Sequence, residues 1–169
     1  MPVRQRVRKE GVMGYSPTVV ANNVLMRSFR ERRYITPMKL QKILYFVASE
    51  YAKRTGHVLL DERFQTWRFG PVSYAVYDEF RPFAKKGIKK FARDASGQAL
   101  IIDEDSDPDL RDCLDEVWEA AKKMTAVRLS EITHTRDSAW FKAYQENRDT
   151  LDHQDIMADR TYRAALRLR

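Results

Sequence analysis

From Thr36 to Gly56 the chain carries one unbroken helical pattern, and no other stretch restricts the fold as strongly. Leu40, Ile43, Leu44, Val47, Ala48 and Tyr51 recur at three- and four-residue steps and so share one helix face. Thr36 can cap the first turn, and Pro37 suits the first helical position, where its missing N–H needs no partner. Gly56 fits the left-handed residue that closes such a helix, with Lys53 and Arg54 near the negative end of its dipole. Tyr45 and Phe46 flank the stripe, so the helix is apolar on more than one side and needs neighbours on several faces. Gln41 and Lys42 fall on its polar side, where they could bond the backbone of a following segment.

The other elements are arranged around this helix. Ser16–Pro17 repeats the cap chemistry and opens a helix with Val20, Ala21, Val24, Leu25 and Phe29 on one face, ending in a polar stretch of Arg27, Arg30, Glu31, Arg32 and Arg33. Residues 57–72 are too short and mixed for a stable helix. Phe64, Trp67 and Phe69 with the Gly70–Pro71 turn predict an irregular, well-packed connector with a short strand near Phe64–Trp67. Ser73 can cap a short helix through Phe80, with Val76, Tyr77 and Phe80 inward and Pro82 ending it. Residues 84–107 begin basic and end acidic, and the Ser96–Gly97 turn signal leaves room for a small β-hairpin between about 88 and 103, pairing Phe91 with Leu100–Ile102. Asp107–Pro108 opens a helix to about Met124, buried through Leu110, Cys113, Leu114, Val117 and Ala121. Shorter helical pieces follow over Val127–His134 and Ser138–Tyr144. A last helix from about Asp152, with Asp155 resembling a capping-box carboxylate, runs into Arg160, Arg163 and Arg167. The fold class is therefore all-α: one mainly helical globular domain over 15–169, preceded by a flexible basic arm, 1–14.

A chain of 169 residues is long enough to bury a core without disulfides, and 43% hydrophobic residues argue against disorder. The single Cys113 excludes an internal disulfide and a cysteine-rich zinc site, and suggests a reducing, cytoplasmic compartment. No apolar run approaches the ~18 residues a membrane span needs. The net charge of +7 raises the expectation of an acidic or nucleic-acid partner. However, Arg4, Arg6, Arg8 and Lys9 against Glu10 put +3 of it in the first ten residues.

Catalytic chemistry is hard to find. The three histidines, His57, His134 and His153, stand in no metal-binding frame, and neither a nucleophile-elbow motif nor a phosphate-cradling glycine loop is present. His134 reads as a helix-end histidine bonded to last-turn carbonyls or to Asp137, and Cys113 as a buried small hydrophobe. The expectation is a non-enzymatic protein without cofactor or metal.

Several phrases stand in order along the chain: KLQKILYF at 39–46, LLDERFQTWRFGPV at 59–72, VYDEF at 76–80, and LSEITH at 129–134 with Trp140 after it. Together they resemble the Panacea domain, also called the SocA-like or GepA family, found in bacterial and phage or prophage genomes. The resemblance spans about residues 17–145. It rests on Lys39, Leu40, Gln41, Lys42, Leu44, Tyr45, Trp67, Gly70, Pro71, Val72, Tyr77, Thr133, His134 and Trp140. It implies a helical antitoxin that neutralises a cognate protein toxin encoded by an adjacent gene, by direct binding, or that delivers the toxin to a protease. The signature is read as mostly fold-determining, with partner contacts at Arg63, Gln65, Arg68, Lys85, Lys86, Lys89 and Lys90. A DNA-binding regulator is the competing reading, since the RRYITP linker between the first two helices could pass for a helix-turn-helix and the basic arm could touch phosphates. It is not favoured, because the second helix is apolar over too much of its surface to read a groove.

Overall fold

A computed structural model describes residues 2–5 and 14–169. Among them the order is β1 (Val3–Gln5), α1 (Pro17–Arg30), α2 (Pro37–Thr55), β2 (Gln65–Trp67), β3 (Gly70–Val72), α3 (Tyr74–Phe80) with a 3-10 turn at Arg81–Phe83, β4 (Leu100–Ile102), α4 (Pro108–Ala121), α5 (Ala126–Thr133), α6 (Ala139–Gln145) and α7 (His153–Ala158). The architecture is mainly helical, with two small two-stranded sheets.

α2 is the centre of the fold. Twelve of its 19 residues are buried, and α1, α3, α4, α5 and α7 all pack on it. The Thr36 side chain accepts from the Lys39 N–H, and Gly56 closes the helix at φ 75°. Burial on nearly every side also removes the helix-turn-helix reading, because a recognition helix must offer an exposed face to the groove. Gln41 and Lys42, expected on the polar side, are 5% and 1% exposed. α4 runs along α2 with Leu110, Cys113, Leu114, Val117 and Ala121 buried against it. The two helices are also joined by polar contacts. The Lys39 ammonium donates to the Lys122 carbonyl at 2.6 Å, and the Tyr51 hydroxyl to Asp107, the α4 cap, at 2.9 Å.

The expected hairpin over 88–103 does not form. β4 pairs instead in parallel with β1, Val3 opposite Leu100 and Gln5 opposite Ile102. Two asparagines in the middle of α1 take the strand's place. The Asn22 amide accepts from Ala92 N–H at 2.8 Å and donates to the Ala92 carbonyl at 2.9 Å. Asn23 makes the same pair of bonds to Ile102, at 2.8 and 3.0 Å. A side-chain amide thus replaces the peptide group a paired strand would offer, so the Phe91–Ala92 segment needs no strand partner. Val3–Gln5, expected within a flexible arm, are held by β4; Met1 and residues 6–13 of that arm lie outside the described residues.

The last helix is also shorter than expected, ending at Ala158 and followed by turns over 161–167. Asp159 stops it by turning inward. Its carboxylate accepts the Ala139 N–H at 3.0 Å and the Tyr45 hydroxyl at 3.4 Å, tying the start of α6 to the core of α2. Asp155 is not used in a capping box; it pairs with Arg148 at 3.0 Å.

Candidate functional site

The β2–β3 hairpin, the one hairpin among the described residues, is where most of the resemblance residues converge; Lys39 instead bonds the end of α4. Gln65 lies opposite Val72, Thr66 opposite Pro71 and Trp67 opposite Gly70, leaving Arg68 and Phe69 as a two-residue tip. Gly70 sits at φ +116°, a conformation closed to ordinary side chains. A Cβ there would also lie 2.6 Å from the Thr133 hydroxyl and 2.9 Å from the Lys42 ammonium. The hairpin backbone can therefore press directly onto α2 and α5.

Side chains from three helices hold it in place. Gln41 clamps Ser73 from both sides, donating to its carbonyl and accepting its N–H, each at 2.9 Å. Lys42 donates to the Pro71 carbonyl at 3.2 Å. From α5, the Ser130 hydroxyl donates to the Phe69 carbonyl at 2.5 Å. From α6, the Trp140 indole donates to the Trp67 carbonyl at 2.7 Å. Within the hairpin, the Trp67 indole donates to the Gln65 side chain at 2.7 Å, and the Tyr77 ring of α3 meets Trp67 edge-on at 4.7 Å between centroids. Leu40, Leu44 and Tyr45 complete the core beneath, and Val72 is buried.

Two bases, Lys42 buried and His134 half-buried, lie at the foot of the hairpin. With no carboxylate within 4 Å among the described residues, burial pulls the Lys42 ammonium down to about 7. His134 caps the end of α5 through its backbone N–H. Its ring does not bond to last-turn carbonyls or Asp137 as expected. It stacks on Trp140 at 4.0 Å, its Nε2 has no partner, and burial with the nearby Lys42 charge holds it below the ordinary histidine range. Thr133 donates back to the Ser130 carbonyl at 2.6 Å. Cys113 is fully buried, which pushes its thiol up to about 12, unsuited to a nucleophile at neutral pH.

The outer face differs from the inner one. Phe69, expected to pack, is 60% exposed at the tip with the Arg68 guanidinium 5.6 Å from its ring centroid. Tyr74 is 46% exposed beside Tyr77, and Tyr144 is 52% exposed and stacked on Trp140 at 4.7 Å. Of the expected contact residues, Arg68 is exposed at the tip and Gln65 is half-buried and occupied by Trp67, whereas Arg63 is exposed ahead of β2, beside a cleft lined by Leu59, Leu60, Leu151 and Ile156. Lys85, Lys86, Lys89 and Lys90 are exposed on a different element. That loop is held to the α1–α2 linker by the Ile88 N–H on the Ile35 carbonyl at 2.8 Å, with Lys89 over Tyr34. The structure thus does not bring the contact set together. Phe69, Tyr74 and Tyr144 were absent from that set. For Phe69 the signal was its place between Arg68 and Gly70, where a two-residue turn points side chains outward.

The sequence matches the family described as Antitoxin SocA-like, Panacea domain, over residues 40–141, a stretch that contains the whole hairpin and its supports. The chain belongs to this family. A curated relative, Antitoxin SocA of Caulobacter vibrioides (strain NA1000 / CB15N), is 29% identical over 127 residues, covering 72% of this chain. The match spans 66% of that relative's own length, just under two thirds. No solved structure matches the chain. Among the described residues no helix is long and apolar enough to cross a membrane, and no cluster of three or more histidine, cysteine or carboxylate side chains is placed to hold a metal ion.

Proposed function

We propose that this Panacea-family protein is the antitoxin of a toxin–antitoxin pair, and that it neutralises a toxin encoded beside it by direct contact through the tip of the β2–β3 hairpin. The observation that carries this reading is the division of labour in the matched segment. Its polar signature residues turn inward to fix the hairpin, and Arg68, Phe69 and Tyr74 are left facing out. Aromatic and arginine side chains on a rigid support are the residue types that dominate protein–protein binding energy.

The test is co-expression and co-purification with the product of the neighbouring open reading frame. The protein should rescue growth and form a stable complex. Arg68→Ala combined with Phe69→Ala should weaken that complex by about 30-fold or more, the loss of a hot-spot pair, with the melting temperature unchanged. A growth-inhibiting neighbour that forms no complex with this protein refutes the proposal. A double variant that binds as tightly as wild type refutes the placement of the contact.

A further inference from the structure

A cleft of about 980 Å³ lies between the C-terminal half of α2, the outer face of α4 and the turns over 161–167. Its charges are unevenly matched. Each lining carboxylate already has a cation: Glu50 has Arg163 at 3.6 Å, Glu116 has Arg54 at 3.1 Å, and Glu119 has Lys122 at 2.8 Å. Among the described residues, Lys123, Arg160 and Arg167 reach no carboxylate within 4 Å, and all three are exposed at the rim. Lys53 meets only neutral acceptors, the Ser49 hydroxyl at 2.7 Å and the Ile156 carbonyl at 3.1 Å. Arg167 adopts φ 55° where the Leu168 N–H bonds back to the Arg163 carbonyl at 2.9 Å. Glycine is the usual residue at such a reversal, and here the position carries a guanidinium instead.

The floor is apolar, formed by Ala120, Met124, Leu166 and Leu168, and among the described residues no aromatic side chain lines the cleft. Those two features select the occupant. A single-stranded nucleic acid gains much of its affinity by stacking bases on aromatic rings, and this cleft has none to offer. An amphipathic peptide segment needs an apolar floor for one side and matching charge for the other, and methionine adapts well to such contacts. We infer that the cleft seats an acidic, amphipathic segment of the cognate toxin. This rests on the antitoxin reading above and deepens it. The α2 and α4 walls fall within the family match at 40–141, but the wall carrying Arg160 to Leu168 falls outside it. The cleft therefore joins the matched scaffold to a segment beyond the family match, a placement suited to distinguishing one toxin from another.

The experiment measures binding of the purified neighbouring gene product to three full-length proteins: wild type, Arg160→Glu/Arg167→Glu, and Arg33→Glu/Lys142→Glu, which reverses two exposed charges elsewhere. Lys123→Glu, on the exposed side just past α4, serves as a second cleft variant should the first fail to fold. At about 50 mM salt the cleft variants should bind at least about 10-fold more weakly, mainly through a slower association rate, and the gap should narrow at about 500 mM. The control should bind within about threefold of wild type. Wild type that binds while the cleft variants bind equally well overturns the inference and leaves the antitoxin reading standing. Wild type that does not bind at all sinks both. Displacement of the toxin from wild type, but not from the cleft variants, by a 20-nucleotide single-stranded DNA would also overturn it, by showing a nucleic-acid site.

Discussion

Replacing Lys42 with methionine removes a buried amine while keeping its stem, and the structure sets the outcome. Lys42 is 1% exposed, and its one acceptor is the Pro71 carbonyl at 3.2 Å. Burial lowers its folded pKa from 10.5 to about 7. Between those values the unfolded chain binds a proton that the folded chain does not, so stability rises with pH by about 1.4 kcal/mol per unit. From pH 7.5 to 9.0 the wild type should gain about 2 kcal/mol from this group. Lys53, held down to about 8 but partly exposed, adds a smaller part at the upper end. At pH 7.5 the lysine costs the fold about 4 kcal/mol. Methionine removes that cost but strands the Pro71 carbonyl, at about 1–3 kcal/mol. Lys42→Met should therefore be more stable than wild type by about 1–3 kcal/mol at pH 7.5, and the advantage should shrink toward zero by pH 9. Urea unfolding at both pH values, followed by circular dichroism, reads this directly. Tyr15, Tyr51 and Tyr162 are all held above their ordinary value of 10, so none of them ionises in the fold over this window. Wild type and Lys42→Met curves that shift in parallel with pH would refute the reasoning.

Leu44→Ala, at a fully buried position in the middle of α2, should lose about 2–5 kcal/mol, read as a lower urea midpoint with an unchanged slope. Gly70→Ala meets both the positive φ and the Thr133 hydroxyl, so it should cost well over 1 kcal/mol and weaken toxin binding by displacing the hairpin tip. A Gly70→Ala protein with wild-type stability would show that the hairpin does not press on α5.

The helices were legible because their signals are local. The Thr36–Pro37, Ser73 and Asp107–Pro108 starts all open helices, and the side chains of Thr36, Ser73 and Asp107 make the cap bonds. Ser16 also precedes a helix, but its hydroxyl makes no cap bond. The short strand near Trp67 was legible from its turn, although the hairpin's partner strand was not. What the sequence hid depends on distant partners. Asn22 and Asn23 lie off the apolar stripe of α1 and carry no local signal, but they complete the backbone bonding of Ala92 and Ile102, 70 and 79 residues away. Arg27 reads as part of the polar stretch that ends α1, but it is 7% exposed and bridges Glu104 at 2.6 Å and Asp115 at 2.7 Å. Asp159 ends α7 only because Tyr45 and the start of α6 await its carboxylate. In each case one polar side chain satisfies a buried group on another element, and no periodicity in a single sequence encodes that pairing. The candidate site shows the same limit. The resemblance named the residues around the hairpin, but only the fold shows that Gln41 and Lys42 are spent inward and Phe69 outward.

That arrangement bears on how a small hairpin could bind tightly. An isolated two-stranded hairpin is marginal in water, and ordering one on contact would subtract from the affinity. Here the carbonyls of Trp67, Phe69, Pro71 and Ser73 are each already bonded, to Trp140, Ser130, Lys42 and Gln41 in turn. Two of those bonds come from α2 itself, one from α5, which packs on α2, and one from α6, which packs on β2, so the tip cannot shift without disturbing the core. The ordering cost is met in folding, before any partner arrives. Side chains at the tip can then vary without touching the bonds that position them, because those bonds run through backbone carbonyls and not through Arg68 or Phe69. A scaffold of this kind can hold one inner set of residues fixed while its outer residues change to suit a different partner.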